Sequence, residues 1–238
     1  MALPKLNTVF YDLQLPYSKK TIQYRPFVVG EQKNLMIAME TKDEKQIFST
    51  MRQSVQSCTN NTVDVSKLPL FELEYLFMHI RMKSVGEKSK IILPCEECLA
   101  ENEVELDLRK TFFEEPSEKR DSVVFLTENI AVRMKMPSLD LVQSLTYASE
   151  EEDTATKIAF EAALECIEAI LDKDNEYLID ETNKHELREF VDSLTSDQFM
   201  KIQEFLNNIP VLKLKVEHKC EKCSKDMSRD LQGIANFF

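Results

Sequence analysis

The chain has 238 residues, 43% of them hydrophobic, and a formal net charge of −12. That length and apolar content can fill a core without covalent staples, while the acidic surplus opposes a general affinity for nucleic acid, which depends on lysine and arginine releasing counterions from phosphate. Only three glycines occur, Gly30, Gly86 and Gly233, and neither GxGxxG nor GxxxxGK is present, which excludes the usual phosphate-cradling loops of nucleotide enzymes.

The first residues, "MALPKLNTVFYDLQLP", lack a basic segment followed by a long apolar run. No stretch approaches the roughly 18 apolar residues of a membrane span. An intracellular chain, neither secreted by an ordinary signal nor embedded, is expected. "TVFYDLQLP" and "TIQYRPFVV" are β-rich runs joined by "YSKK", the pattern of a hairpin. "EQKNLMIAME" (31–40) reads as a helix. "KDEKQIFSTMRQSVQSC" reads as a second, with Ile47, Met51 and Val55 on one stripe. Asn60, Asn61 and Ser66 mark a loop before "LPLFELEYLFMHIRMKSVG".

That last segment is apolar around most of its circumference. Leu70, Leu73, Leu76, Phe77 and Ile80 form one face, and Phe71, Tyr75, Met78 and Met82 form another. Such a helix is expected either at the centre of a core or with one face, the second, offered to a protein partner. After Gly86, "KSKIILPCEECLAENEVELDL" reads as strand, knuckle, strand. Glu101, Glu103, Glu105 and Asp107 alternate with Val104, Leu106 and Leu108 in the period of a half-buried strand. "SEKRD" is a polar break, and "SVVFLTENIAVRMKM" a hairpin turning at Glu128-Asn129.

Pro137 opens a stretch read as helical, with members near 138–148, 153–172, 184–194 and 196–208. Asn183 and Ser196 are the expected N-caps of the last two. "VLKLKVEHKCEKC" then returns to a strand and a second knuckle. The segments "FELEYLFMHIRMKSVGEKSKIILPCEEC" and "SDQFMKIQEFLNNIPVLKLKVEHKCEKC" share one order of elements: apolar helix, break, strand, CxxC, polar strand. This pseudo-repeat predicts a single composite α+β domain over 1–238, with halves 1–120 and 121–238, a helical body with several β-hairpins, and two knuckles meeting in a zinc-ribbon-like clasp.

Six cysteines are too few for a disulfide scaffold at this length, and four sit as two CxxC pairs. Two CxxC turns supply the tetrahedral thiolate shell that a structural Zn2+ takes, which nominates Cys95, Cys98, Cys220 and Cys223 as ligands of one zinc per chain. The alternatives are a disulfide or redox couple, and an ancestral site that no longer holds metal. A thioredoxin-like dithiol would sit at a helix N-terminus in a βαβ unit, a context neither pair has. Leu99 and Ser224 stand where a glycine often relieves the turn after the second cysteine. Glu96, Glu97 and Glu101 flank the first knuckle while Lys219, Lys222, Lys225 and Arg229 crowd the second, so docking the two would pair opposite charges. His218 is an alternative fourth ligand. With His79 and His185 it completes the histidines, none joined by a motif to a nucleophile. Cys58 and Cys166 read as small core residues. No catalytic residues are therefore assigned.

The order of "YRPFVVGEQKNLMIAME", "LPLFELEYLFMHIRMKSVGEKS", the two CxxC knuckles and the terminal "LQGIANFF" resembles the baseplate hub assembly protein family of T-even-type (T4-like) tailed bacteriophages, across nearly the whole chain. The resemblance implies a late, non-enzymatic protein that helps assemble the central hub of the tail baseplate in host cytoplasm, as an assembly factor or minor hub component. Its implied partners are other hub proteins. Phe237 and Phe238, or the 70–82 helix, are expected to dock a hub partner; the alternative is that both pack into the chain's own core. A zinc-ribbon adaptor acting on nucleic acid or transcription machinery is the competing reading.

Overall fold

The computed structural model describes residues 8–41, 43–114, 122–141, 155–180 and 182–233. The chain divides into two compact units, one of residues 1–114 with 211–238 and one of residues 115–210. The first opens with strands β1 (Tyr11–Gln14) and β2 (Thr21–Tyr24), helices α1 (Val29–Thr41), α2 (Glu44–Cys58) and α3 (Leu70–Ser84), and strands β3 (Lys88–Pro94), β4 (Glu101–Asp107) and β5 (Phe112–Glu114). The second holds β6 (Val123–Phe125), β7 (Ala131–Met134), helix α4 (Ala155–Cys166), β8 (Ile167–Leu171), β9 (Glu176–Leu178) and helices α5 (Lys184–Asp192) and α6 (Ser196–Asn207). The chain then re-enters the first unit as β10 (Val211–Lys219) and β11 (Asp226–Gln232). Among the described residues no helix is long and apolar enough to cross a membrane.

The first unit is built on α3, whose all-round apolarity has a simple outcome. Leu73, Leu76, Met78 and Ile80 are wholly buried and Phe71 and Phe77 nearly so, because α2 covers one side and β10 another. Aromatic contacts fill the remaining space: Phe71 meets Tyr17 and Phe113 edge-on at 5.7 and 5.8 Å, and Tyr75 meets Phe113 at 5.3 Å. Glu72, also fully buried, accepts the backbone N–H groups of Tyr17 and Ser18 on one carboxylate oxygen at 2.9 and 2.7 Å. A buried carboxylate needs such donors, and these tie the β1–β2 turn to the helix. Arg81, at the other end, donates to Gly86 O at 3.0 Å and Ser89 Oγ at 3.2 Å. It thereby braces the break into β3, where Gly86 takes φ +122, a conformation that suits glycine.

Both knuckle hairpins alternate as period two demands. In β4, Asn102, Val104 and Leu106 are buried while Glu101, Glu103 and Glu105 are exposed, and Lys88 and Lys90 pair across the outer face with Glu105 and Glu103, each at 2.5 Å. These exposed pairs set register more than stability. In β10, Leu212, Leu214 and Val216 are buried. β10 lies at the centre of a three-stranded sheet, between β11 and the short β5. The β5 pairing runs from Val211↔Glu114 to Lys213↔Phe112. The sequence reading missed β5, whose three residues are too few to show a period.

The second unit differs from the helical stretch expected of it. Its strands form an antiparallel sheet in the order β6-β7-β8-β9. The expected helix 153–172 is described from Ala155 and stops at Cys166, where the chain turns directly into β8. Ile167 and Ala169 point into the core there, and β8 pairs with β7 through Val132↔Ile170 and Ala131↔Leu171. The caps also differ. Thr195, not Ser196, caps α6 in a capping box with Gln198. Asn183 occupies the cap position of α5 without a capping bond, its side-chain oxygen accepting instead from Asp180 N–H at 2.9 Å. The expected helix 138–148 begins at Leu139 and passes outside the described residues after Leu141.

A second constraint in the first unit is polar. Arg25 grips Glu31 with both guanidinium nitrogens, at 2.8 and 2.7 Å, and also donates to Ser57 Oγ. Glu31 additionally accepts from Ser57 Oγ at 2.6 Å and Val28 N–H at 2.9 Å. Burial alone would push the Glu31 carboxyl up, but these donors outweigh it and hold the group at about 2. The pair joins the start of α1 to the end of α2. Because the folded value lies below the ordinary one, the stabilisation is complete above about pH 4.5 and is lost as pH falls towards 2; a shift of that size corresponds to roughly 3 kcal/mol. Urea unfolding of the protein and of Glu31→Gln should therefore differ most above pH 5, and the gap should narrow by about half or more as the pH is lowered to 3.

Candidate metal centre

Each knuckle is built the same way. Cys95 N–H donates to Ala100 O at 2.9 Å and Leu99 N–H to Cys95 O at 3.1 Å. Cys220 N–H donates to Lys225 O at 2.8 Å and Ser224 N–H to Cys220 O at 2.9 Å. The residue after each second cysteine takes the left-handed conformation, Leu99 at φ +56 and Ser224 at φ +60. This is the geometry in which a glycine is usually found. The missing glycines therefore change the cost of the turn and not its shape.

The two turns face each other within the first unit. Cys95 Sγ lies 3.6 Å from Cys223 Sγ, and Cys98 Sγ 3.6 Å from Cys220 Sγ. All four sulfurs lie within 4.8 Å of one another. Four thiolates at about 2.3 Å from one tetrahedral ion stand about 3.8 Å apart, so the donor set and its spacing fit a zinc-ribbon-like clasp. Cys95 and Cys220 are buried, Cys98 is intermediate and Cys223 exposed. The backbone N–H groups of Cys98 and Glu97 point at Cys95 Sγ and hold its thiol below the usual range. The equivalent groups of Cys223 and Lys222 bring Cys220 down to about 6. The Lys225 N–H draws the Cys223 thiol down, but desolvation and then hydrogen bonding to the other three sulfurs outweigh it and push the thiol up to about 12. Four thiols so close cannot all ionise unless a cation compensates them.

Charges and one amide complete the junction. Arg229 pairs with Glu96 at 3.0 Å and Lys225 with Glu97, two of the opposite-sign contacts that the flanking charges predict. Asn102, only 2% exposed, donates to Ala100 O at 2.9 Å and accepts Glu221 N–H at 2.9 Å, which links the first knuckle to the backbone of the second. Met227 packs with Cys95 and Cys220 beneath the sulfurs. Sequence reasoning did not single out Asn102, although a signal was present: it stands at a core-facing position of β4 where the alternation calls for an apolar residue.

The other candidates lie elsewhere. Burial pushes the thiols of Cys58 and Cys166 up to about 12, as expected of inert core cysteines. His218 does not join the four sulfurs; it faces inward from β10, and neither ring nitrogen has a partner among the described residues. His79 meets Tyr75 edge-on at 4.4 Å, and burial followed by Lys83 lowers its basicity. His185 is exposed, 3.6 Å from Glu189. Of the helix residues expected to offer a docking face, Phe71 and Met78 are buried in the chain's own core, and Tyr75 and Met82 are half-buried. The aromatic layer of Tyr17 and Phe113 and the strand β10 occupy that side of the helix, so for Phe71 and Met78 the expectation is corrected. Phe237 and Phe238 lie outside the described residues.

A left-handed conformation costs a non-glycine residue about 1–2 kcal/mol, partly offset by the greater freedom a glycine has when unfolded. Leu99 is 78% exposed and loses little packing when truncated. Leu99→Gly and Ser224→Gly should each raise unfolding free energy by about 0.5–1 kcal/mol, whereas Leu99→Val should lower it, as read from urea midpoints at unchanged m.

Comparison with known families matches residues 8–238 to the family described as T4 bacteriophage base plate protein. No curated protein and no solved structure matches the chain. The match spans both compact units and both knuckles, and the chain belongs to the T4 bacteriophage base plate protein family.

Proposed function

We propose that this baseplate protein acts in assembly of the central hub, as an assembly factor or minor hub component working in host cytoplasm through contacts with other hub proteins. The observation that carries the reading is the family match over residues 8–238, to which the order of motifs adds the hub. Phe237 and Phe238 are the contact we assign to a hub partner, since the α3 face is largely taken up by the chain's own core. The chain's role is non-enzymatic in this reading. The adaptor alternative gains no support from the second knuckle: Lys225 and Arg229 are already paired with Glu97 and Glu96, and the net charge is −12.

We further propose that Cys95, Cys98, Cys220 and Cys223 hold one structural Zn2+. What supports it is the spacing of four sulfurs within 4.8 Å, with backbone N–H groups already turned towards Cys95 and Cys220. A shell closed by four thiolates leaves no position for a reacting water, so the ion would hold shape.

Two measurements test these readings separately. Native mass spectrometry should find one zinc per chain, released by Cys95→Ser or by Cys220→Ser. Zinc at a thousandfold excess over its Kd should add about 4 kcal/mol to unfolding free energy. Two zincs, or retention after either substitution, would mean a different ligand set. Pull-down from infected cells, compared with proteomics of purified particles, should recover hub proteins with the full chain and lose them when residues 237–238 are removed. Binding to phage or host DNA without hub proteins would sink the assembly reading.

A further inference from the structure

Helix α1 is apolar on two sides. Leu35 and Ala38 are buried on the side that packs with α2, while Val29, Met36 and Ile37 are 83%, 57% and 45% exposed. With Lys33 and Glu40 these three recur at i, i+4, i+7, i+8 and i+11, one stripe of a helix. Together with Gln32 they line a shallow groove of about 280 Å3. Val28 and Val85, 44% and 53% exposed, add to the apolar surface at the N-terminal end, where Phe27 N–H bonds Ser84 Oγ at 2.8 Å. An apolar stripe of this kind on a water-soluble helix marks a contact surface.

The charges within the stripe indicate what covers it. Lys33 and Glu40 are both exposed, and neither has an ion-pair partner among the described residues. They stand equally far on either side of the midpoint between Met36 and Ile37. An antiparallel copy of the same helix, related by a twofold axis at that midpoint, sets Lys33 of each copy opposite Glu40 of the other. It also packs each Met36 on the other's Ile37. A parallel copy would place Lys33 on Lys33. The stripe is thus complementary to itself in one orientation only, the requirement for an isologous interface. We infer that α1 is the interface of a twofold homodimer, in which two copies of this chain pack α1 antiparallel against α1. This inference stands apart from the hub reading and from the zinc.

Sedimentation equilibrium of the full chain across about 1–100 μM, at physiological salt, tests it. The wild-type protein should reach twice the monomer mass at the upper end. Met36→Glu should leave a monomer whose circular dichroism is unchanged. Lys33→Glu and Glu40→Lys should each weaken the dimer about tenfold, since each reversal turns two attractions into two repulsions. The double variant Lys33→Glu with Glu40→Lys should recover wild-type affinity to within about threefold. A monomer at every concentration, a dimer indifferent to Met36→Glu, or a double variant no tighter than the single ones would overturn the inference. So would a monomer whose Met36 face becomes protected from hydrogen exchange only when hub proteins are added, because the occupant would then be another protein.

Discussion

The four-sulfur junction joins positions 122 residues apart in the chain, and most of the first unit's architecture follows from closing that distance. A loop of this length costs roughly 4–5 kcal/mol of chain entropy to close. No single contact at the junction offsets that cost among the exposed charges, whose pairs contribute little each. The larger contributions are buried ones: Asn102 bonded to the opposite knuckle, Met227 beneath the sulfurs, and the sheet that β10 forms with β5 and β11. A cation among the thiolates would add to these, because it would compensate the charge of four thiolates held so close together.

The two knuckles are alike in backbone and unlike in side chains. Their hydrogen bonds and left-handed residues match position for position, yet Asn102 answers to Met227, and the acidic flank of the first answers to the basic flank of the second. Identical halves would bring like charges together and bury two amides or none. Divergence after a common layout is what lets one half recognise the other. The repeat is also one of element order alone, since the helix that precedes the second knuckle, α6, belongs to the second unit while its strand belongs to the first.

What could be read from the sequence was local or strongly periodic. The CxxC pairs, the alternation of β4 and β10, the apolar girth of α3 and the charge contrast between knuckles are all visible within windows of ten to twenty residues. What could not be read depended on pairing between distant segments. "IEAIL" satisfies a helical stripe as well as a strand, and only β7 and β9 on either side of it decide the matter. Phe112–Glu114 becomes a strand because β10 arrives to pair with it. Ser196 looks as good a cap as Thr195 until Gln198 reaches back to the latter. For α3 the sequence showed two apolar faces without saying what covers the second. There the aromatic residues of β5 and of the β1–β2 turn, far apart in the chain, provided the answer.

The pairing of Val211 with Glu114 has one more implication. The second unit leaves the first from one strand and returns on that strand's direct antiparallel neighbour, so its two ends are fixed one ladder rung apart. To the first unit, everything between them is topologically a hairpin loop. An insert attached in that way can lengthen, shorten or change its internal fold without altering the register that presents the knuckles to each other. The four-cysteine clasp and the insert are therefore free to vary independently, one set by four sulfurs and the other tethered by a single pair of neighbouring strands.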